Sequence, residues 1–226
     1  MPVPRPPRLD EALAALHRHA RPDALDAMAG FGLTGEGRLG LAVPTLRALA
    51  KDFRRDHALA LALWDTGIPD AQILAGLVAE PARFTLAEMD HCVAGMQAWD
   101  VCDQACLNAF VKSPLAWAAI PRWAMREREF EKRAGFSLLA VAAVHQKTRA
   151  DGDFLACLPL IEAAAGDDRN FVRKAVNWAL RQIGKRSPAL CEPALTVAER
   201  LCRRKEKSAR WIGSDARREL AQRILS

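Results

Sequence analysis

Apolar residues recur along this chain in short segments with the three- and four-residue spacing of one helix face. Turns rich in Gly, Pro or Asp separate these segments, and they occur about every ten to twenty residues. The pattern predicts helices from end to end, near residues 9–19, 22–30, 44–54, 56–65, 70–79, 85–97, 100–112, 114–124, 128–147, 153–164, 169–185, 189–204 and 208–225.

The composition supports helices and argues against sheets. The 226 residues include 43 Ala and 28 Leu, but only 11 Val, 7 Ile and 6 Thr, and Tyr is absent. Ala and Leu lose little rotamer freedom in a helix, whereas sheets use β-branched and aromatic residues. We therefore predict an all-α protein. No apolar run approaches the roughly 20 residues that span a bilayer, so we expect no membrane association.

Consecutive predicted helices form hairpins that are too short to bury their apolar faces alone. Stacking against neighbouring hairpins solves this problem, which favours a degenerate HEAT-like helical-repeat solenoid. A globular helical bundle is the alternative. Residues 1–8 read as a disordered, Pro-rich lead-in rather than a signal peptide. Since no shift in composition marks a linker, we predict a single domain over residues 9–226.

Cysteine usage is typical of a cytoplasmic protein with reduced core thiols. No CxxC pair occurs, and no histidine lies close enough to Cys102 and Cys106 to complete a metal site. We expect no metal and no cofactor. The six cysteines are at positions 92, 102, 106, 157, 191 and 202, and the five histidines are at 17, 19, 57, 91 and 145.

Positive charge is concentrated near the C-terminus. Residues 169–226 contain 15 basic and 5 acidic residues, a net charge of +10, whereas the whole chain carries +6. Such an asymmetry in an Ala- and Leu-rich segment favours a polyanionic partner such as nucleic acid. The predicted DNA-binding residues are Arg173, Lys174, Arg181, Lys185, Arg210, Arg217 and Arg218.

The one long loop, residues 30–43, is rich in glycine. It does not follow a strand, and it lacks the Gly-Lys-Ser/Thr sequence of phosphate-binding loops. We therefore exclude a P-loop.

Residues 99–103, Trp-Asp-Val-Cys-Asp, contain the first candidate site. Trp99 and Asp103 lie one helical turn apart on the same face. An aromatic face and a carboxylate both stabilise a developing positive charge. A core tryptophan beside a surface acid is the structural alternative. Asp100 is expected to cap the start of the helix.

Two further candidates lie in the second half. Arg133, at the polar edge of an otherwise apolar helix, suits phosphate binding, although a structural ion pair explains it equally well. Trp178 adjoins a basic stripe and suits stacking on a sugar or base; packing between repeats is its alternative. We expect Trp64, Trp117, Trp123 and Trp211 to be core or interface residues.

Five sequence blocks carry a further signal. They are residues 40–51 (Gly-Leu-Ala-Val-Pro-Thr-Leu-Arg-Ala-Leu-Ala-Lys), 99–103, 131–137 (Glu-Lys-Arg-Ala-Gly-Phe-Ser), 171–181 (Phe-Val-Arg-Lys-Ala-Val-Asn-Trp-Ala-Leu-Arg) with Gly184 and Lys185, and 211–220 (Trp-Ile-Gly-Ser-Asp-Ala-Arg-Arg-Glu-Leu). In this order they resemble the blocks of the DNA alkylation-repair family of AlkD-type glycosylases, and the resemblance extends over nearly the whole chain from about residue 9.

The resemblance implies a right-handed superhelix of about six HEAT-like helix pairs that cups duplex DNA on its concave face. It implies hydrolysis of the N-glycosidic bond of purines alkylated at N3 or N7. Asp103 resembles the catalytic aspartate, Trp99 and Trp178 the indoles that contact the lesion's deoxyribose, and Arg133 the arginine that holds the nearby backbone. In this view Trp99, Asp103 and Trp178 converge where a strand's sugar would lie.

The chemistry of the residues agrees with this activity. A cationic purine is already a good leaving group, so the site must mainly stabilise an oxocarbenium-like sugar and supply water. One carboxylate and two aromatic faces can do this without a second acid of the glycosidase kind. We expect a monomeric glycosylase acting on duplex DNA with alkylated bases. The alternatives are a non-catalytic protein for distorted or branched DNA and a helical scaffold for an acidic protein.

Overall fold

The computed structural model describes residues 8–224, the last two in backbone only. These residues form fourteen α-helices and three short 3-10 helices, and no strand occurs among them. The all-α prediction is confirmed. Residues 1–7 of the predicted lead-in lie outside the described residues. Arg8 is described, and its guanidinium donates to the backbone oxygen of Asp52 at 2.8 Å.

The chain divides into two compact units, residues 1–115 and 116–226. The first unit contains seven α-helices: α1 (Leu9–Arg18), α2 (Leu25–Gly30), α3 (Val43–Leu49), α4 (His57–Asp65), α5 (Pro69–Val78), α6 (Leu86–Ala94) and α7 (Trp99–Asn108). Its 3-10 helices are Pro22–Ala24, Pro81–Arg83 and Phe110–Lys112. The prediction of a single domain stays a prediction.

Helix α5 is the centre of the first unit. It packs against α3, α4 and α7, and nearly all of its side chains are buried. Gly76 of α5 packs against the backbone of Ala105 in α7. A Cβ built on Gly76 would lie 3.5 Å from the Cα of Ala105. On the other side, Trp64 of α4 donates its indole N–H to the backbone oxygen of Cys92 in α6 at 3.1 Å. These contacts produce one row of α3, α5 and α7 and a second row that includes α4 and α6.

Local sequence signals start several of these helices. Asp56 caps α4 by accepting the N–H of Leu59, and Thr85 and Glu88 form a reciprocal capping box at the start of α6. Pro69 lies in the first turn of α5, where the missing N–H costs nothing.

The second unit is built from longer helices. They are α8 (Ala116–Ala124), α9 (Glu129–His145), α10 (Asp151–Leu155), α11 (Leu158–Ala164), α12 (Asn170–Arg186), α13 (Pro188–Cys202) and α14 (Lys207–Ile224). Helices α9, α12 and α14 form one row, because α12 packs on both of the others. Helices α8, α11 and α13 pack behind them.

Helices α12 and α14 run parallel with a constant register. Asn177 pairs with Asp215 and Arg181 with Glu219, and each pair is 38 residues apart. Arg173 and Trp211 keep the same separation. Because positions four residues apart share a helix face, this register brings one stripe of α12 against one stripe of α14 over two full turns.

Arg186 closes the C-terminal end of α9. Its guanidinium donates to the backbone oxygens of Ala143, Gln146 and Arg149 at 2.6–3.0 Å and to the Asp151 carboxylate at 3.0 Å. A helix end leaves carbonyls without partners, and a buried guanidinium can satisfy several of them. This basic residue of the cationic segment therefore stabilises the fold.

The apolar interior includes most of the cysteines. All six lie in the described residues, five are buried, and no disulfide joins them. Burial raises the pKa of the Cys157 thiol to about 11, so it stays protonated at neutral pH. Within residues 8–224, no helix is both long and apolar enough to cross a membrane, and no group of three or more His, Cys, Asp or Glu side chains is arranged to hold a metal.

Each predicted helix start lies within two residues of an observed helical start, but several predicted helices are wrong in extent. The predicted helix 22–30 is a 3-10 helix followed by α2, the predicted helix 100–112 is α7 followed by a 3-10 helix, and the predicted helix 85–97 ends at Ala94. The predicted helix 153–164 is two helices, because Pro159 lies in the first turn of α11 and separates it from α10. The predicted helix 44–54 ends at Leu49, and turns lead from there to Arg55, which has a positive φ of 56°.

Gly135 allows α8 and α9 to approach closely, since a Cβ there would lie 2.5 Å from the Ala124 nitrogen and 2.9 Å from its Cα. We expect Gly135→Ala to destabilise the protein by about 1–3 kcal/mol, as overpacking does when the neighbour is backbone. Chemical denaturation measures this. Gly152→Ala is the matched control, because no atom lies within 4 Å of its Cβ position, and it should be neutral or slightly stabilising. Equal changes in the free energy of unfolding of the two variants would contradict a special requirement for glycine at position 135.

Candidate functional site

Trp99 and Asp103 both belong to α7, which begins at Trp99 after the extended residue Ala98. Both side chains are half-buried and lie one turn apart, as the sequence predicts. The indole N–H of Trp99 donates to the backbone oxygen of Phe31 at 3.1 Å. The glycine-rich loop therefore helps to orient this tryptophan. Phe31 itself is 78% exposed.

Two carboxylates fix that loop, residues 31–41. The side chain of Asp70 is fully buried at the start of α5 and accepts the N–H groups of Leu39 at 2.7 Å and Leu41 at 2.8 Å. These two hydrogen bonds join the end of the loop to the start of α5.

Asp100 provides the second anchor. Its two oxygens accept from both terminal nitrogens of Arg38 at 2.9 Å, and Arg38 also donates to the backbone oxygen of Thr34. The expectation that Asp100 caps α7 is wrong, because the capping position belongs to Ala98, which makes no side-chain cap. Neither Arg38 nor Asp70 stands out in the sequence, since each needs a partner about 30 to 60 residues away.

The backbone conformation of this loop requires glycine. Gly40 has φ +83°, and a Cβ there would lie 2.3 Å from the backbone oxygen of Arg21. Only glycine allows this approach. The enrichment in glycine is thus explained without a phosphate-binding role.

In the second unit, Arg133 is buried rather than at a polar edge, with 5% of its surface exposed. Its guanidinium donates to the backbone oxygen of Phe171, the second residue of α12, at 2.7 Å. The rings of Phe130 in α9 and Phe171 in α12 pack against each other with centroids 5.5 Å apart. Arg133 therefore connects α9 to the N-terminal end of α12.

Trp178 is half-buried on α12, one turn before Gln182. With the Gln182 amide turned so that its oxygen faces the indole, it accepts from the Trp178 N–H at 3.3 Å and from the Lys185 ammonium at 3.2 Å. Gln182 thus holds the indole and a cation on the same face of α12.

Arg181 and Lys185, both predicted DNA-binding residues, are paired with carboxylates of α14. Glu219 accepts from Arg181 and, at 2.5 Å, from Lys185. Asp215 lies 3.7 Å from Arg181 and accepts from Asn177 at 2.7 Å. Burial alone would raise the pKa of Glu219, but the hydrogen bonds from Lys185 and Arg181 outweigh it and lower the pKa below its usual 4.5. The stabilisation that this carboxylate provides is present above pH 4.5 and is lost as the pH falls.

The other predicted DNA-binding residues differ in their surroundings. Arg218 pairs with Asp215, and Arg210 donates to the backbone oxygen of Arg204. Lys174 and Arg217 are exposed, and within residues 8–224 neither makes an ion pair. Only part of the positive charge in this segment is therefore available to a ligand.

The remaining tryptophans lie at core or interface positions. Trp64 and Trp123 are buried, and Trp117 packs edge-on against Phe154 with centroids 5.1 Å apart. Trp211 is an interface residue of α14 that contacts α12: the guanidinium of Arg173 lies 5.1 Å from its ring centroid, while 39% of its surface is exposed.

The sequence model of the family described as "DNA alkylation repair enzyme" matches residues 12–220. No curated protein matches the sequence.

The fold is similar to a solved structure described as "A new family of proteins related to the HEAT-like repeat DNA glycosylases with affinity for branched DNA structures". The TM-score is 0.79 at 18% sequence identity, and the match covers 95% of this chain and 94% of the other. The prediction of a HEAT-like helical-repeat fold is confirmed.

We expect Arg38→Met to destabilise the protein by about 3–5 kcal/mol, since it leaves the largely buried carboxylate of Asp100 without its partner. Chemical denaturation gives the total, and hydrogen exchange at Leu39 and Leu41 reports the loop directly. Arg83→Met is the matched control, because Arg83 pairs with Glu80 at the same 2.9 Å but is 61% exposed. Its cost should be below about 1 kcal/mol. Similar costs for the two variants would show that Asp100 does not anchor the loop.

Proposed function

This chain belongs to the DNA alkylation repair enzyme family, and from that premise we propose that it is a monofunctional DNA glycosylase. Its substrates are cationic purines alkylated at N3 or N7 in duplex DNA, and its reaction is hydrolysis of their N-glycosidic bond. The observation that carries the proposal is the half-buried carboxylate of Asp103 one helical turn from the half-buried indole of Trp99. No metal or cofactor is required.

Each proposed site residue has a distinct role. Asp103 stabilises the positive charge that develops on the deoxyribose and orients the attacking water. The ring faces of Trp99 and Trp178 contact the sugar, where an aromatic surface attracts positive charge. Arg133, which resembles the family's backbone-holding arginine, is 5% exposed and acts through α12: its bond to the backbone oxygen of Phe171 positions the helix that carries Trp178.

The charge of the substrate explains why so few groups are enough. An alkylated purine that already carries a positive charge leaves as a neutral base, so no general acid has to protonate it. The barrier then depends mainly on electrostatic stabilisation of the sugar, which one preorganised carboxylate provides.

We expect Asp103→Asn to slow the release of N7-methylguanine or N3-methyladenine from methylated duplex DNA by about 100-fold or more. Single-turnover release, followed by chromatography of the free base, measures this. The control is Asp168→Asn, which removes an exposed carboxylate outside the proposed site and should leave the rate unchanged. An unchanged rate in Asp103→Asn would remove Asp103 from the mechanism, and absence of release by folded wild-type protein would reject the glycosylase.

A second candidate is a non-catalytic protein that binds distorted or branched DNA. The similarity to a structure described as having affinity for branched DNA favours it. Binding of a four-way junction and of a linear duplex of equal length, measured beside base release, separates the two candidates. Preference for the junction without base release supports the second candidate.

Under either proposal, Glu219 competes with DNA phosphates for Arg181 and Lys185. We expect Glu219→Gln to tighten DNA binding roughly threefold to tenfold at low salt, because it frees two cations, and to steepen the dependence of affinity on salt. Fluorescence anisotropy over a salt series measures both. Glu199→Gln removes one exposed charge from α13 and is the control for a general charge effect. Equal gains in DNA affinity in the two variants would show that Glu219 does not compete with DNA phosphates for Arg181 and Lys185.

A further inference from the structure

Trp211 is a large aromatic side chain that the fold leaves in contact with water. It lies in the first turn and a half of α14, and its 39% exposure is the largest of the six tryptophans, all of which are described. Exposing so much apolar ring surface is unfavourable, and exposed tryptophans are concentrated at binding surfaces. The exposed ring is therefore a candidate for contact with a ligand.

Arg173 holds the indole in place from the neighbouring helix. Its guanidinium lies 5.1 Å from the Trp211 ring centroid, within the range of a cation–π interaction. The constant 38-residue register between α12 and α14 sets this pair, as it sets the pairs at Asn177 and Arg181. The indole is thus fixed by the packing of two long helices.

Arg173 also has hydrogen-bonding capacity that the described residues do not use. Its Nε is buried and has no acceptor among residues 8–224, and one terminal nitrogen makes a long bond of 3.3 Å to the side chain of Asn170. A guanidinium with an unused donor suits an oxygen-rich anion, since the planar fork binds phosphate oxygens in pairs. Because the Nε is buried, a phosphate oxygen would bind at the terminal nitrogens.

The charges around the indole favour an anion. Lys174 follows Arg173 and is exposed, and Arg218 lies two turns after Trp211 on the same stripe of α14. The nearest acid on that stripe, Asp215, already accepts hydrogen bonds from Asn177 and Arg218. A flat ring beside the guanidinium of Arg173, with the exposed Lys174 next in the sequence, matches a nucleotide, which has a phosphate and a sugar or base within one unit.

We propose that Trp211, Arg173 and Lys174 form a nucleotide platform, a further DNA contact beyond the residues assigned to base release. Arg173 and Lys174 bind one backbone phosphate, and Trp211 packs against the adjacent deoxyribose or, where the strand is unpaired, stacks on its base. This inference rests on the proposed function in one respect, namely that the ligand is DNA. The platform provides affinity and takes no part in the chemical step.

The test is a salt series of DNA affinities, measured by anisotropy with an intact duplex, a duplex containing a one-nucleotide gap, and a single strand. We expect Trp211→Ala to weaken binding about tenfold while leaving the slope against salt unchanged, because an aromatic contact releases no counterions. Lys174→Ala should instead reduce the slope by about 1. A loss that is equal on intact and gapped duplexes indicates contact with the sugar, and a loss confined to unpaired DNA indicates stacking on the base.

Two variants separate a binding defect from a folding defect. Trp211→Phe keeps an aromatic ring and should restore most of the affinity lost in Trp211→Ala, with an unchanged circular dichroism spectrum. Leu155→Ala is the matched control, because Leu155 is an exposed apolar residue on α10, 46% exposed, and its loss should have no effect. If wild type binds DNA and folded Trp211→Ala binds it equally on all three substrates, the platform is rejected while the proposed function stands. If wild type binds none of them, both are rejected.

Discussion

The parallel register of α12 and α14 determines which side chains of the cationic segment can meet a ligand. Because the two helices keep a separation of 38 residues over two turns, three positions of α12 each meet a fixed position of α14. The same packing joins Arg181 to Glu219, buries Asn177 against Asp215 and places the guanidinium of Arg173 over Trp211. A shift of α14 by one residue would rotate its side chains by about 100° and break all three contacts at once. The packing of α12 against α14 therefore determines which of these basic side chains are paired with acids.

The net charge of a segment is a poor measure of the charge that it offers to a ligand. In residues 169–226, several basic side chains hold the fold together instead of facing a polyanion. Arg186 closes the end of α9, Arg169 pairs with Asp167, and Arg200 pairs with Glu162 of another helix. Partly exposed ion pairs contribute little stability individually, but each one reduces the local potential that a phosphate would experience. The available cations, Lys174 and Arg217 among them, are fewer than the composition suggests, and their positions matter more than their number.

Helix positions could be predicted from the sequence because the signals that start a helix are local. A proline in the first turn or a capping side chain marks the start of α3, α4, α5, α6 and α13. The spacing of Trp99 and Asp103 likewise needs only the helical repeat. The loop anchors Asp70 and Arg38 could not be found in this way, because their partners lie far away in the chain and only the folded structure brings them together. The exposure of Trp211 could not be predicted for a related reason: a tryptophan in a helical segment is usually buried, and only the packing of α12 beside it shows how much of the ring stays exposed.

Each of the two tryptophans of the proposed site is oriented by a hydrogen bond from its indole N–H, although the acceptors differ. Trp99 gives its N–H to a backbone oxygen of the anchored loop, and Trp178 gives its N–H to the side chain of Gln182 on its own helix. A committed N–H fixes the rotation of the ring and removes the one polar donor that an indole has. What such a ring can still offer a ligand is its face, which attracts positive charge and packs on a sugar. Both indoles are therefore suited to a partner that develops positive charge, and poorly suited to reading the hydrogen-bonding edge of a base. That preference agrees with a site that distinguishes its substrate by charge.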